Sequence, residues 1–229
     1  MVKRFFSSQI ERWIVRVLPF IIRRSLNRGL SGIWQRGNWD VLKEKGAILA
    51  LNHHSWWDLY LSWFIRQRLA RKASGIMREE QLERFRFFRA IGVISEREVR
   101  EALRRLERGE LLFIFPEGEL RQAGEVEELH RGVSFLARRA SVAIYPVALR
   151  VAMRGGERPE AFIELGSAIE ARGEDTLGSL KLSLNEMLKG IDETLSISHP
   201  EKPPVGFEAW LKGHRSTNQR MSWIERFWS

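Results

Sequence analysis

The chain has no cysteine, which excludes disulfides, thiolate metal sites and a covalent thioester carried by the protein itself. Any transfer between a donor and an acceptor is therefore expected to be direct. Long apolar runs are missing too. In the apolar N-terminal region the longest uncharged stretch is residues 17–22, far short of the roughly twenty residues that span a bilayer as a helix. Nor does this region read as a signal peptide with a small-residue cleavage site. No His-Glu-x-x-His occurs, and His54 and Asp58, although at helical spacing, supply only two ligands, so metal chemistry fits poorly. Without a Gly-x-Ser-x-Gly elbow, a serine hydrolase of the usual α/β type lacks its nucleophile. Repeats and low-complexity tracts are not visible.

What is present suits one α/β domain with a substantial core, since 229 residues show no internal linker composition. The net charge of +9 is uneven: residues 1–45 carry ten Lys or Arg against three acids. In that stretch Phe5, Phe6, Ile10, Trp13, Ile14, Val17, Leu18, Ile21 and Ile22 recur at three- and four-residue spacings with arginines between them. This is an amphipathic helical pattern, and Pro19 is expected to kink it or to start a second helix. A basic helix with tryptophan on its apolar face suits the headgroup zone of an anionic membrane; packing on the domain core is the other fate of such a stripe. Nucleic acid is not expected as a partner, because no recognised motif accompanies the charge. At the other end, Trp210, Leu211, Met221, Trp223, Ile224, Phe227 and Trp228 lie among Lys212, Arg215, Arg220 and Arg226. These residues suit a second interfacial contact or a tail folded back on the body. The expected division is 1–29 as the membrane-association segment, 30–199 as the α/β domain and 200–229 as an aromatic, basic tail.

The chemistry concentrates at Asn52-His53-His54-Ser55-Trp56-Trp57-Asp58, which follows the apolar run 47–51. His53 and Asp58 are five positions apart. Within one helix five residues turn the chain by about 500°, so their side chains would diverge. A strand ending near Leu51, a short loop and a helix starting near Trp56 bring them together instead. Imidazole accepts protons near neutral pH, and a carboxylate on its far nitrogen fixes the tautomer and stabilises the cation. The pair could deprotonate an alcohol. A lone His-Asp pair is also a common surface hydrogen bond or cap, so a second segment matters: the apolar run 111–115 opens into Pro116-Glu117-Gly118, which must turn. Two buried strands that each end in polar turns are the layout of an α/β active edge. Further strands are expected at 73–77, 91–94, 142–149 and 161–165, and helices at 59–69, 98–107, 130–140 and 176–195, with a charged amphipathic segment at 79–89. The fold class is therefore α/β, a single-domain mixed and mostly parallel sheet flanked by helices, with the N-terminal amphipathic segment at a membrane surface.

These residues carry a family resemblance. Asn52-His53-x-Ser55-x-x-Asp58 resembles the first signature block of the glycerolipid acyltransferases, the lysophosphatidic acid acyltransferase-like family with its His-x4-Asp pair. Residues 115–118, Phe-Pro-Glu-Gly, resemble the third block. Residues 92–97, which end in Arg97, resemble the second, and 142–148 the fourth. The blocks fall in family order over roughly residues 30 to 170. The resemblance implies an O-acyltransferase of phospholipid biosynthesis that moves a fatty acyl group from acyl-CoA or acyl-ACP, used as substrate with no bound cofactor, to a hydroxyl of a lipid acceptor. It implies His53 and Asp58 as catalytic residues and Asn52, Ser55, Arg97, Glu117, Gly118 and Arg121 as substrate-binding. Expected partners are membrane lipids, the acyl donor or its carrier protein and the lipid acceptor, at the cytoplasmic face of a membrane, peripheral or monotopic. One departure stands out: where the family continues Thr-Arg-Ser, this chain reads Glu119-Leu120-Arg121. A carboxylate there is expected to disfavour a phosphate-bearing acceptor. The alternative reading is a non-catalytic lipid-binding protein on the same scaffold.

Overall fold

Residues 47–51 and 111–114 contain only apolar side chains, and the computed structural model, which describes residues 2–172 and 175–214, buries every one of them at the centre of a sheet. The eight strands are β1 (Gly32–Arg36), β2 (Ala47–Leu51), β3 (Ala73–Met77), β4 (Val93–Ser95), β5 (Leu111–Ile114), β6 (Ile144–Ala152), β7 (Glu160–Leu165) and β8 (Glu208–Lys212), in the order β4-β3-β5-β2-β6-β7-β1-β8. Its central neighbours run parallel, with Ala47 opposite Leu111 on one side of β2 and Ile48 opposite Ile144 on the other. The pairs β6–β7 and β1–β8 are antiparallel. A strand buried on both faces reads as an unbroken apolar run, which explains β2 and β5.

Period-two alternation divides these side chains between two cores. Ile48, Ala50, Leu112, Ile114, Ile144 and Ala148 face one layer, where they meet Ala102 and Leu106 of α4 (Val99–Glu107), Val133 and Leu136 of α5 (Gly132–Ala140) and Leu180 and Leu184 of α6 (Thr176–Ile197). Leu49, Leu51, Leu111, Phe113, Val147 and Leu149 face the other, with Leu26 of α1 (Val2–Gly29) and Leu61 and Ile65 of α2 (Trp57–Leu69). The result is a sheet between two helical layers. The charged segment expected at 79–89 becomes α3 (Glu79–Arg84) followed by a 3₁₀ segment, Arg86–Ile91.

Three features differ from the sequence reading. Helix α1 is continuous through Pro19 rather than starting anew there; proline removes only its own donor, and the flanking turns pack on the domain. Second, only part of the N-terminal stripe packs on the domain core. Ile22 and Leu26 are buried in the core, whereas Trp13 is 63% and Phe20 66% exposed. At Gly29 the helix comes so near α2 that an added Cβ would lie 2.1 Å from the Trp57 ring. Truncating Leu26 to alanine would cost about 2–5 kcal/mol, as for other fully buried leucines. Third, residues 208–212, placed by sequence in the tail, form β8 beside β1, and Trp210 packs on Trp39 with ring centroids 4.7 Å apart. The tail residues Arg215, Arg220, Met221, Trp223, Ile224, Arg226, Phe227 and Trp228 lie outside the described residues. Among the described residues no helix is long and apolar enough to cross a membrane.

Candidate active site

The chain leaves β2 at Leu51, and Asn52 keeps it tied to the sheet. The Asn52 amide imitates a strand backbone: Nδ2 donates to the Leu149 carbonyl at 3.1 Å and Oδ1 accepts the Leu149 N–H at 2.7 Å. Asn52 is buried and its remaining Nδ2 contact is to His54. It therefore clamps the loop to β6. Ser55 begins the next element, its Oγ accepting the Trp57 N–H at 3.2 Å. One turn later, Asp58 points back into the loop. Its Oδ2 accepts from His53 Nδ1 at 2.9 Å, from the His54 backbone N–H at 2.7 Å and from the Ser55 backbone N–H at 2.8 Å.

The strand-loop-helix junction thus converges the two residues as their spacing requires. The Asp58 side chain is fully buried and that of His53 is 18% exposed. With its Nδ1–H held by the carboxylate, His53 presents a basic Nε2, which has no hydrogen bond to a described residue. Phe115 lies against the ring, with centroids 4.4 Å apart. A base with one nitrogen oriented, the other open and an apolar wall beside it can take a proton from a hydroxyl.

The loop after β5 closes the other side. Glu117 is buried and its Oε1 accepts the His53 backbone N–H at 2.7 Å. Burial pushes the Glu117 carboxyl above the usual carboxylate range, against the lowering influence of that N–H and of the His53 and Arg121 charges. Gly118 turns the chain at φ 74, where an added Cβ would also strike the His130 ring at 2.7 Å. The Arg121 backbone N–H donates to the His53 carbonyl at 2.8 Å, and its guanidinium pairs with Glu119 at 2.8 Å, both side chains about half exposed.

His53, Asp58, Glu117, Gly118 and Arg121 therefore meet at the ends of two adjacent parallel strands. Among the described residues no hydrogen bond or ion pair ties Arg97 to them; its backbone N–H donates to Ser95 Oγ. It follows β4, which lies two places from β5 and three from β2 in the sheet order, about 10 and 14 Å between strands. There it lines an open basic trough with Arg89, Arg100 and Arg104. His54 went unassigned in the sequence, yet its ring is 5% exposed and lies in the same cluster, with Nδ1 3.8 Å from Asp58 Oδ1. The sequence signals for it were a second histidine beside the first and its four-residue spacing from Asp58.

A family model described as Acyltransferase matches residues 35–150. That span contains both loops. No curated protein matches the chain in sequence. Among solved structures, the chain is similar to the 1-acyl-sn-glycerophosphate (LPA) acyltransferase PlsC of Thermotoga maritima, with a TM-score of 0.61 at 17% identity, over 81% of this chain and 83% of that one. At that identity the likeness is one of fold.

Proposed function

Because the chain belongs to the Acyltransferase family, we propose that it moves a fatty acyl group from an acyl thioester, acyl-CoA or acyl-ACP, to a hydroxyl of a lipid acceptor. The observation that carries this reading is the 2.9 Å bond from His53 Nδ1 to the buried Asp58, which leaves Nε2 for the acceptor hydroxyl. As the hydroxyl oxygen attacks the thioester carbonyl, His53 takes its proton; the C–O bond forms, the C–S bond breaks and the thiolate leaves with a proton from the imidazolium. Asp58 holds the ring and offsets its transient charge, as the carboxylate of a Ser-His-Asp triad does, with substrate oxygen in the place of serine. Glu117 braces the loop through the His53 N–H, and with Gly118 shapes the acceptor side. The acceptor in this reading is less anionic than lysophosphatidic acid, because Glu119 occupies Arg121.

The enzyme works in this reading at a membrane surface. Trp13, Phe20 and Ile21 are exposed on α1 with Arg16, Arg23 and Arg24. Next to α1, exposed Phe85 and Phe87 cluster beside Arg84 and Arg86. Exposed aromatic and basic side chains together suit an anionic lipid surface. Replacing Phe20 by glutamate should lower sedimentation with anionic liposomes severalfold with the fold intact, and added salt should weaken the wild type. Unchanged binding would place the anchor elsewhere.

The decisive assay gives the purified protein a mixed lipid extract with acyl-CoA or acyl-ACP and reads newly acylated lipids by mass spectrometry. Acylated hydroxyl lipids are expected, together with release of free thiol. No thioester consumption with either donor would sink the reading.

A further inference from the structure

Asp58 lies under two imidazoles, and so far only one of them has a role. All three donors to the carboxylate reach Oδ2. Oδ1 is buried and has no hydrogen-bond partner among the described residues. A buried carboxylate oxygen without a donor is costly, so the group facing it matters. That group is His54, whose Nδ1 is 3.8 Å away.

The neighbours of His54 assign its ring hydrogen. The Val151 backbone N–H, which can only donate, points at Nε2 from 3.2 Å. That contact suits an Nε2 without a hydrogen. Nδ1 has two polar neighbours. Asn52 Nδ2, at 3.2 Å, is a donor as well, because the paired bonds to Leu149 fix which way the amide points, so each ring nitrogen faces a donor and the neutral ring can accept from only one. Asp58 Oδ1 is the other, and among the described residues the only acceptor facing either nitrogen, which favours the hydrogen on Nδ1. The ring is also kept neutral, as this bonding needs. The charged and titratable groups around it are Asp58, Arg150, His53 and Asp192; burial pulls its pKa down, Arg150 and His53 add to this, and the two aspartates oppose it.

We propose that His54 is a positioning residue for acyl transfer, a second imidazole that donates Nδ1–H to Asp58 Oδ1 and so fixes the carboxylate whose other oxygen orients His53. Catalytic hydrogen bonds are commonly long in the unliganded state and tighten as charge develops, and the 3.8 Å contact closes when His53 becomes cationic. The kinetic consequence rests on the acyltransferase reading; the hydrogen's position does not.

Two substitutions separate the two nitrogens of His54. His54→Gln places an amide oxygen near the Nε2 position, keeping an acceptor for Val151 but no donor for Asp58. His54→Asn places an amide nitrogen near Nδ1, keeping the donor and losing the acceptor. His54→Gln should lower kcat about tenfold, the worth of one hydrogen bond, with KM within about twofold. It should also move the acid limb of the pH–kcat profile to higher pH, since a carboxylate with one donor fewer holds the proton on His53 more firmly. His54→Asn should restore kcat to within about threefold of wild type, together with the wild-type limb, even if the lost Val151 bond lowers its melting temperature. An unchanged kcat and limb in His54→Gln would overturn the proposal. So would equal losses in both variants that follow their melting temperatures, since that marks a structural role. Nitrogen NMR of the labelled wild type, without substrate, should show His54 protonated at Nδ1 and bare at Nε2; the opposite tautomer overturns the proposal whatever the kinetics. If the wild type transfers no acyl group, the acyltransferase reading fails and the spectrum alone decides the role of His54.

Discussion

The loops after β2 and β5 leave neighbouring strands at the same end of the sheet, yet they differ in how much of each is fixed. In the first, Asn52, His54 and Asp58 are buried or nearly so, and hydrogen bonds to Leu149, Val151 and one another hold them. The second is buried only at Glu117; by Glu119 and Arg121 it carries a half-exposed ion pair. Buried polar networks have one low-energy arrangement, whereas exposed pairs exchange partners with water at little cost. The proposed mechanism accordingly assigns the reaction chemistry to the first loop and acceptor choice to the outer half of the second.

The largest effects should come from breaking the first loop. His53→Ala is expected to lower acyl transfer by roughly 10² to 10⁴-fold, the contribution of a positioned general base, while circular dichroism stays that of the wild type. Asp58→Asn should fall at least about 10²-fold and also melt lower, because an amide cannot accept all the hydrogens that Oδ2 receives. If folded His53→Ala stays within about threefold of wild type, the base lies elsewhere.

Glu117→Gln tests the boundary between the two loops and should show opposite signs in activity and stability. Activity should drop about tenfold, as for loss of a charged contact to the acceptor, while the amide oxygen still accepts the His53 N–H. Stability at neutral pH should rise. The Glu117 pKa is raised in the fold above its ordinary 4.5, so its contribution is fully present below 4.5 and is lost as pH rises through the folded value. The gain in melting temperature over wild type should accordingly be greatest near neutral pH and shrink toward pH 4.5. A gain independent of pH would mean that burial of the charge is not its cause.

His54 gives a smaller, pH-dependent effect of the other sense. Its pKa is lowered in the fold from 6.5, so the unfolded chain binds the proton first as pH falls. Stability should decline below pH 6.5, and denaturant titrations of His54→Gln should show a shallower decline there. An unchanged slope would assign the acid sensitivity to other groups.

The smallest effect is expected at Glu119→Thr, since an exposed ion pair is worth at most about 1 kcal/mol. Freeing Arg121 should shift acceptor preference toward lysophosphatidic acid by no more than about fivefold in competition assays. A wild type that already prefers lysophosphatidic acid, unaltered by the substitution, would show that the outer loop does not choose the acceptor.

Much of this was legible in the chain alone, where burial imposes a pattern. The unbroken apolar runs of β2 and β5 and the His-x4-Asp spacing determined two strand ends with a histidine held by an aspartate, because each depends only on local periodicity and reach. Strands β1 and β8 carry no such signal: β1 keeps a buried Gln35, held by the Trp39 and Glu208 side chains, and β8 is a half-buried edge strand. Their pairing is non-local and was decided by the tertiary structure. Tertiary structure also decided where the arginines lie, through the strand order that sets Arg97 after the edge strand β4 and the Arg121 backbone beside His53. It made Asn52 a clamp and brought His54 under Asp58. The sequence specifies donors and acceptors, but which of them remain free is known only after every buried one has found its partner in space.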